Sequence, residues 1–234
     1  MRILKKGLIY FLSITILWVL VYRLINPPIT LLMIQRCFER KLDGKTLKLK
    51  KKWCSYDKLP NNLKKAAIAG EDASFSSHWG FDFNAIQRAY QKNKQGKKIH
   101  GGSTISQQTA KNVFLWPGRS WLRKGFEVYF TILIELLWNK ERILEVYLNV
   151  IETGDGIYGA EAASQAFFSK SATQLSKREA ALLIAVLPNP KRWSPKKPTA
   201  YIRYKQLLIL HNMQKLEKSI LIQPNTYHKI KPGR

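Results

Sequence analysis

The chain has 234 residues, 45% hydrophobic and 12% aromatic, which excludes low-complexity disorder for its bulk and suits one medium domain with appendages. Forty Lys and Arg stand against fifteen Asp and Glu, a formal net charge of +25. That exceeds what solubility requires and points to an anionic partner: nucleic acid, an anionic bilayer or a phosphorylated ligand.

The first element is not globular. Residues 7–22 read GLIYFLSITILWVLVY without a charge, and Leu24 and Ile25 extend the stretch past Arg23. The length reaches the lower end of what a helix needs to cross a bilayer. Arg23 can snorkel to the interface, and Trp18 and Tyr22 suit an interfacial belt. Arg2, Lys5 and Lys6 also fit the basic start of a cleaved signal. The apolar run is long for that, however, and Asn26-Pro27-Pro28 follows where small cleavage-site residues belong. An uncleaved anchor over residues 7–25 is the expectation, with residues 1–6 as a short cytoplasmic tail. Basic residues flank both ends, so charge alone does not orient the span.

Residues 26–58 read as a membrane-proximal connecting region. It holds an apolar patch, Ile29 to Ile34, and a basic run, KTLKLKKK, at residues 45–52. The run alternates at first, which fits a short amphipathic strand against anionic headgroups as well as a solvated linker. From Leu59 the pattern turns helical. Helices are expected over Leu63 to Ala69, Phe83 to Lys92, Arg123 to Val150 (one, or two broken near Asn139), Glu161 to Phe168, Lys177 to Leu187 and Tyr201 to Leu216. No strand-turn-strand series is evident. Residues 223–234 form a polar tail. The only cysteines, Cys37 and Cys54, lack metal-site spacing; two free thiols and one disulfide outside the cytoplasm both fit, with free thiols preferred.

Carboxylates are scarce, and ten of the fifteen fall between Glu71 and Glu161. Glu71 ends an apolar helix beside Phe75 and Trp79. Partial desolvation there would raise its pKa and suit it to base catalysis, although an exposed helix-end acid fits the same residues. Residues 101–108, GGSTISQQ, free the backbone and then start a helix. Thr104 with Gln107 fits a capping box, and the new N-terminus would offer N–H groups to an anion, with Lys111 two turns on. The spacing is not that of a nucleotide P-loop. Arg123, Lys124 and Glu127 share one helical face, and a nearly uncharged apolar run follows them. A surface ion-pair face and a cleft-lining cluster both fit that pattern.

Taken in order, five segments resemble glycosyltransferase family 51, the peptidoglycan transglycosylases: GEDASFSSHWGFD (70–82), GGSTISQQTAKNVFL (101–115), GRSWLRKGFE (118–127), KERILEVYLNVIETGDGIYG (140–159) and REAALLIAVLPNPKRWSP (178–195). The resemblance covers roughly residues 60–200. It implies a mainly α, lysozyme-like catalytic domain, here 59–222, of the monofunctional biosynthetic type anchored by one N-terminal helix. The penicillin-binding members add a transpeptidase domain for which this chain leaves no room. Two S-x-x-K matches, at Ser55 and Ser194, lack a following K-T-G and are read as accidental.

The resemblance implies that Glu71 is the general base and Glu127 the second carboxylate of the site. It carries Gln108, Lys111, Arg119, Arg123 and Lys124 over as substrate-binding positions, with Ser103, Thr104 and Tyr147 as weaker ones. It suggests a mobile loop, 93–100, over the cleft. The expected reaction polymerises lipid II into β-1,4 glycan strands with inversion and release of undecaprenyl pyrophosphate. No tightly bound cofactor is expected; a divalent cation, Mg or Mn, is admitted at the pyrophosphate. Expected partners are lipid II, the growing strand, the bacterial cytoplasmic membrane and cell-division or other wall-synthesis proteins, not nucleic acid. The domain is expected outside the cytoplasm. The rivals are a lysozyme-like hydrolase, which would also use two carboxylates, and a non-enzymatic basic binding module.

Overall fold

A computed structural model describes residues 2–94, 96, 102–118 and 120–222, with side chains undescribed at 92, 93 and 218–222. The expected tail at 223–234 lies outside the described residues. So do most of the expected loop and Arg119. The fold is mainly α.

Helix α1 (Arg2–Leu24) carries the apolar run, and the helical geometry extends back through the basic flank. It is long and apolar enough to cross a bilayer. Most of its large side chains are exposed, but Thr15 and Val19 are buried against the domain. The connecting stretch holds a helix the apolar patch only hinted at, α2 (Leu31–Leu42). Thr30 caps it by accepting from Met33 N at 3.4 Å, and Met33 is fully buried.

Two groups of helices make the domain. One consists of α3 (Asn61–Glu71), α9 (Lys177–Ala185) and α10 (Ala200–Ile222), mutually packed. The other consists of α5 (Ile105–Phe114), α6 (Trp121–Leu137) and α7 (Lys140–Val150), with α5 against both partners. Between α6 and α7 the chain breaks at Asn139, whose side chain accepts from Arg142 N at 2.8 Å and starts α7. Helix α4 (Phe83–Lys94) follows α3, and α8 (Ala160–Phe168) follows α7.

α1 runs beside α6 in the same direction. Phe11 meets Phe126, the Thr15 and Tyr129 hydroxyls lie 2.6 Å apart, and Trp138 Nε1 donates to Val19 O at 2.9 Å. Trp18 packs edge-on against Phe114, itself stacked on Phe130 at 4.7 Å. At the end of α1, Arg142 donates to Tyr22 O and Ile25 O, both at 2.9 Å. A guanidinium there satisfies carbonyls that a helix end leaves unpaired and opposes its dipole.

A small sheet corrects the reading of no strand-turn-strand series. Strand β1 (Lys50–Lys51) runs parallel to β3 (Ile157–Tyr158), which is antiparallel to β2 (Glu152–Gly154). Strands of two or three residues are too short for period-two alternation to register. The basic run thus supplies an edge strand, with Lys51 Nζ held by Pro27 O and by Pro28 O at 2.9 Å, close to where α1 ends. After β3, Gly159 has φ 79°, and a Cβ there would sit 2.6 Å from Asn149 O. Asn149 cannot yield: its buried amide accepts from Cys54 N at 2.7 Å and donates to Cys54 O and Glu145 O, both at 2.8 Å. Gly159→Ala combines strained φ with backbone overlap and is expected to cost about 3 kcal/mol, read as a lower midpoint in denaturant unfolding of the detergent-solubilised protein.

Candidate active site

Glu71 is the last residue of α3 and Asp72 caps it, so two adjacent carboxylates leave the helix in different directions. Asp72 turns inward and is buried. Its Oδ2 accepts from Ile105 N at 3.0 Å, and its two oxygens lie 2.9 and 3.1 Å from His78 Nε2. Burial still raises its pKa, with His78 and the Ile105 N–H opposing. The start of α5 is therefore already occupied by a carboxylate. Thr104 completes the expected capping box, accepting from Gln107 N at 3.2 Å while Thr104 N donates to Gln107 Oε1 at 3.0 Å. The reading of this N-terminus as an open anion cradle is corrected: its N–H groups at Ile105 and Gln107 are consumed internally.

Glu71 turns the other way, into a cleft. Gln108, one turn into α5, donates from Nε2 to Glu71 Oε2 at 2.8 Å. Behind it the buried Tyr147 hydroxyl of α7 donates to Gln108 Oε1 at 3.5 Å. Burial raises the Tyr147 pKa well above its ordinary value, so it remains a neutral donor. Glu71 is only partly shielded from solvent, yet crowded enough that desolvation raises its pKa. The Gln108 hydrogen bond and the charges of Lys205 and Lys111 pull it back, and Asp72 pushes it up further.

Two cavities meet at this carboxylate. The larger, about 740 Å³, is lined by Glu71, Ser103, Gln108, Lys111, Trp193 and Lys205, among others. The smaller, about 270 Å³, is lined by Glu71, Ser103, Thr104, Asp82 and Arg88, among others. Lys111 lies three residues after Gln108 on the same face of α5. Desolvation lowers its pKa below the usual lysine value, with Glu127 as the main opposing charge.

Glu127 is 3% exposed, on α6. Arg123 Nη1 lies 3.4 Å from its Oε2, and Lys124 Nζ pairs with its Oε1. Ser120 starts that helix by accepting from Arg123 N at 3.1 Å. Lys124 lines a third groove that also reaches Ser103. Arg123 and Glu127 are not among the residues lining the two main cavities. Glu127 reaches the site through its charge on Lys111.

The sequence did not single out Lys205. It lies on α10, with Nζ 5.9 Å from the Trp193 ring centroid and 5.8 Å from that of Tyr201. One lysine in a basic helix carries no signal; only the packing of α10 on α3 brings it to Glu71. Asp72 had a signal, its adjacency to Glu71, but its role in holding α5 is visible only in three dimensions. No group of three or more His, Cys, Asp or Glu converges as a metal site among the described residues.

Comparison with known proteins agrees with the five segments. The family model described as Transglycosylase matches residues 40–214. The chain is 51% identical to a biosynthetic peptidoglycan transglycosylase of Pseudomonas syringae pv. tomato over 92% of each chain. It is 48% identical to one of Stutzerimonas stutzeri over 98% of this chain and 93% of that protein. With one of Pseudomonas putida, strain GB-1, it shares 46% identity over 98% of each. On the family match and these relatives, the chain belongs to the transglycosylase family, whose lysozyme-like domain follows here an apolar N-terminal helix.

Proposed function

We propose that the chain polymerises lipid II, adding disaccharide units to a growing strand that stays linked to undecaprenyl pyrophosphate. The shared name of its relatives gives peptidoglycan as the product class. One observation carries the finer reading: a carboxylate with raised pKa sits where two cavities join, and cations line the same space at Lys111 and Lys205. Two cavities fit two sugar substrates, and cations fit a pyrophosphate leaving group.

The Glu71 carboxylate takes the proton from the 4-hydroxyl of the acceptor GlcNAc. That oxygen forms a bond to C1 of the donor MurNAc from the face opposite the pyrophosphate. The C1–O bond to pyrophosphate breaks, its electron pair leaves with the phosphate, and the α link becomes a β-1,4 link. The proton on Glu71 then passes to solvent. Lys111, Lys124 and Arg123, with Arg119 by family resemblance, balance the charge that grows on the leaving group. Glu127 holds Arg123 and Lys124 in place. Ser103 and Thr104 border the sugar sites, and Tyr147 acts through Gln108. A divalent cation would draw most of its ligands from the substrate's phosphates, since both oxygens of Glu127 are taken by Arg123 and Lys124; no step above needs it.

The membrane reading has support of its own. Beside α1, helix α6 exposes Trp121 (92%), Leu122, Ile132 and Leu136. An apolar face next to an anchor suits contact with lipid, which a hydrolase of finished glycan would not need. We place the domain on the outer face of the cytoplasmic membrane, with the outward face of α1 open to membrane-embedded division or wall-synthesis proteins. A reporter fused after Arg234 should be active only outside the cytoplasm; activity confined to the cytoplasm would reverse the orientation.

Glu71→Gln tests the base. It should fold, bind lipid II and lose at least about 10²-fold in polymerisation; substantial glycan synthesis would sink the assignment. The stability sign is opposite to the activity sign. Because the folded pKa lies above the ordinary 4.5, ionising Glu71 costs stability as pH rises through that folded value. The variant should therefore melt no lower than the parent at pH 8, with its relative gain shrinking as pH falls below the folded pKa and gone below about pH 4.5.

Gln108→Leu tests the tuning. It removes a hydrogen bond that favours the charged form, so the Glu71 pKa should rise further. The acid limb of the rate against pH should move to higher pH, while an unmoved limb would show that Gln108 does not set it.

A further inference from the structure

We infer that Glu152 is a further substrate-holding carboxylate of the larger cavity, set there by Arg36 of α2 to accept a hydrogen bond from the saccharide. The inference rests on the lipid II reading above and adds a contact to the same site. Glu152 lines the cavity of about 740 Å³ that Glu71 also lines, and it is 6% exposed. It opens β2 just after α7 and pairs across the hairpin with Tyr158, so both side chains stand on one face of the sheet.

The polar groups gathered here are not satisfied by one another. Glu152 Oε2 lies 3.4 Å from Arg36 Nε, yet that Nε has no hydrogen-bond partner among the described residues. Glu152 Oε1 and the Tyr158 hydroxyl have none either, although Tyr158 feels the charge of both neighbours. Nearby charges are committed elsewhere: Lys191 pairs with Glu39 at 3.3 Å, and Asp155 pairs with Arg40. A buried ion pair repays its desolvation only when hydrogen bonds complete it, so Arg36 and Glu152 add little stability as they stand. A buried carboxylate oxygen without a donor is costly in the fold alone. The cavity that Glu152 lines is where a donor arrives.

The other walls say what kind of donor that is. Gln108 and Asn112 supply amides, Trp193 a flat ring, and Glu71 the carboxylate proposed to act on a sugar hydroxyl. A carboxylate only accepts, and a saccharide offers hydroxyls and acetamido N–H groups as donors. Leu32, also from α2, forms part of the same wall. α2 is therefore more than a spacer between anchor and domain. It brings an apolar side chain to the cavity and the cation that holds Glu152.

The test is polymerisation by the full chain in one detergent, with lipid II and analogues that each lack one donor. Fluorine replaces the hydroxyl at C3 or C6 of GlcNAc or at C6 of MurNAc, or an acetate ester replaces one acetamide. The reacting 4-hydroxyl is kept. The parent should lose about tenfold in kcat/KM on one analogue, as for a hydrogen bond to a charged group. Glu152→Ala should lose a similar factor on lipid II, mainly through KM, and nothing further on that analogue. Glu152→Gln, of the same shape, guards against misfolding and should show a smaller loss of the same kind. Arg36→Met should follow Glu152→Ala more weakly, and Arg36→Lys should restore the parent's pattern. A loss in both Glu152 variants that is equal on every substrate means a deformed cavity and overturns the proposal. Kinetics unchanged from the parent overturn it too, and leave the unpaired groups to an internal water. A parent that does not polymerise lipid II defeats the lipid II reading itself, a failure distinct from either.

Discussion

The buried carboxylate of Asp72 is the constraint on which the site depends. It ties the end of α3 to the first N–H of α5 and to His78, and so fixes the two helices end to end. Adjacent side chains must then diverge: with Asp72 turned inward, Glu71 faces the cleft. The register of α5 does the rest. Counting from Ile105, Gln108 comes one turn on and Lys111 another, so both line the cavity that holds Glu71. Placing an acid at α5's N-terminus also sets the dipole in a favourable sense. That helps offset the burial that still raises the Asp72 pKa.

The large positive charge is handled unevenly, and the unevenness follows function. Glu127, itself buried, pairs with the half-buried Arg123 and with Lys124, whose side chain is 41% exposed. Such a cluster gives little net stability once desolvation is counted, but it holds cations in a set geometry before any substrate arrives. Lys111 is different. It is crowded, its pKa is depressed, and the carboxylates it feels most, Glu127 and Glu71, act without an ion pair to it. On the proposed reading, an arriving pyrophosphate would restore its preference for the charged form. One part of the site is thus pre-paired and rigid, and the other gains most when the ligand binds.

Much of this was legible in the chain. Helical periodicity marks α3, α4 and α6 to α10 within a few residues, because each has one apolar face and a clear cap or break such as Asn139 or Ser176. The capping box at Thr104 is a local pattern, and it forms as its four residues dictate. The ordered segments brought Glu71, Ser103, Gln108 and Lys111 to one cleft. α2 escaped although it carries a local signal, the Thr30 cap before an amphipathic run of twelve residues. The rest that escaped has non-local causes. The hairpin from Glu152 to Tyr158 relies on Gly159 and on Asn149, a residue that bonds across the fold to Cys54. The anion cradle at α5 was inferred from free N–H groups; the acid that fills them lies more than thirty residues upstream.

The way α1 meets the domain explains why such an enzyme is anchored as it is. A flexible tether would only raise the local concentration. Here Trp138 and Arg142 bond to backbone carbonyls of α1 and the residues just after it, and aromatic side chains fill the seam, so the helix is a strut. A strut fixes the tilt of the cleft relative to the bilayer. That matters because a long isoprenoid is costly to expose, at about 0.8 kcal/mol for each CH₂ taken into water. Lifting the substrate out of the membrane to a free-standing cleft would forfeit far more than binding its sugars could return. On the proposed reading, Glu71 and the cations around it must instead come down to the lipid surface in a fixed attitude. The parallel course of α1 and α6, with the apolar side of α6 turned outward beside it, achieves that with a single span.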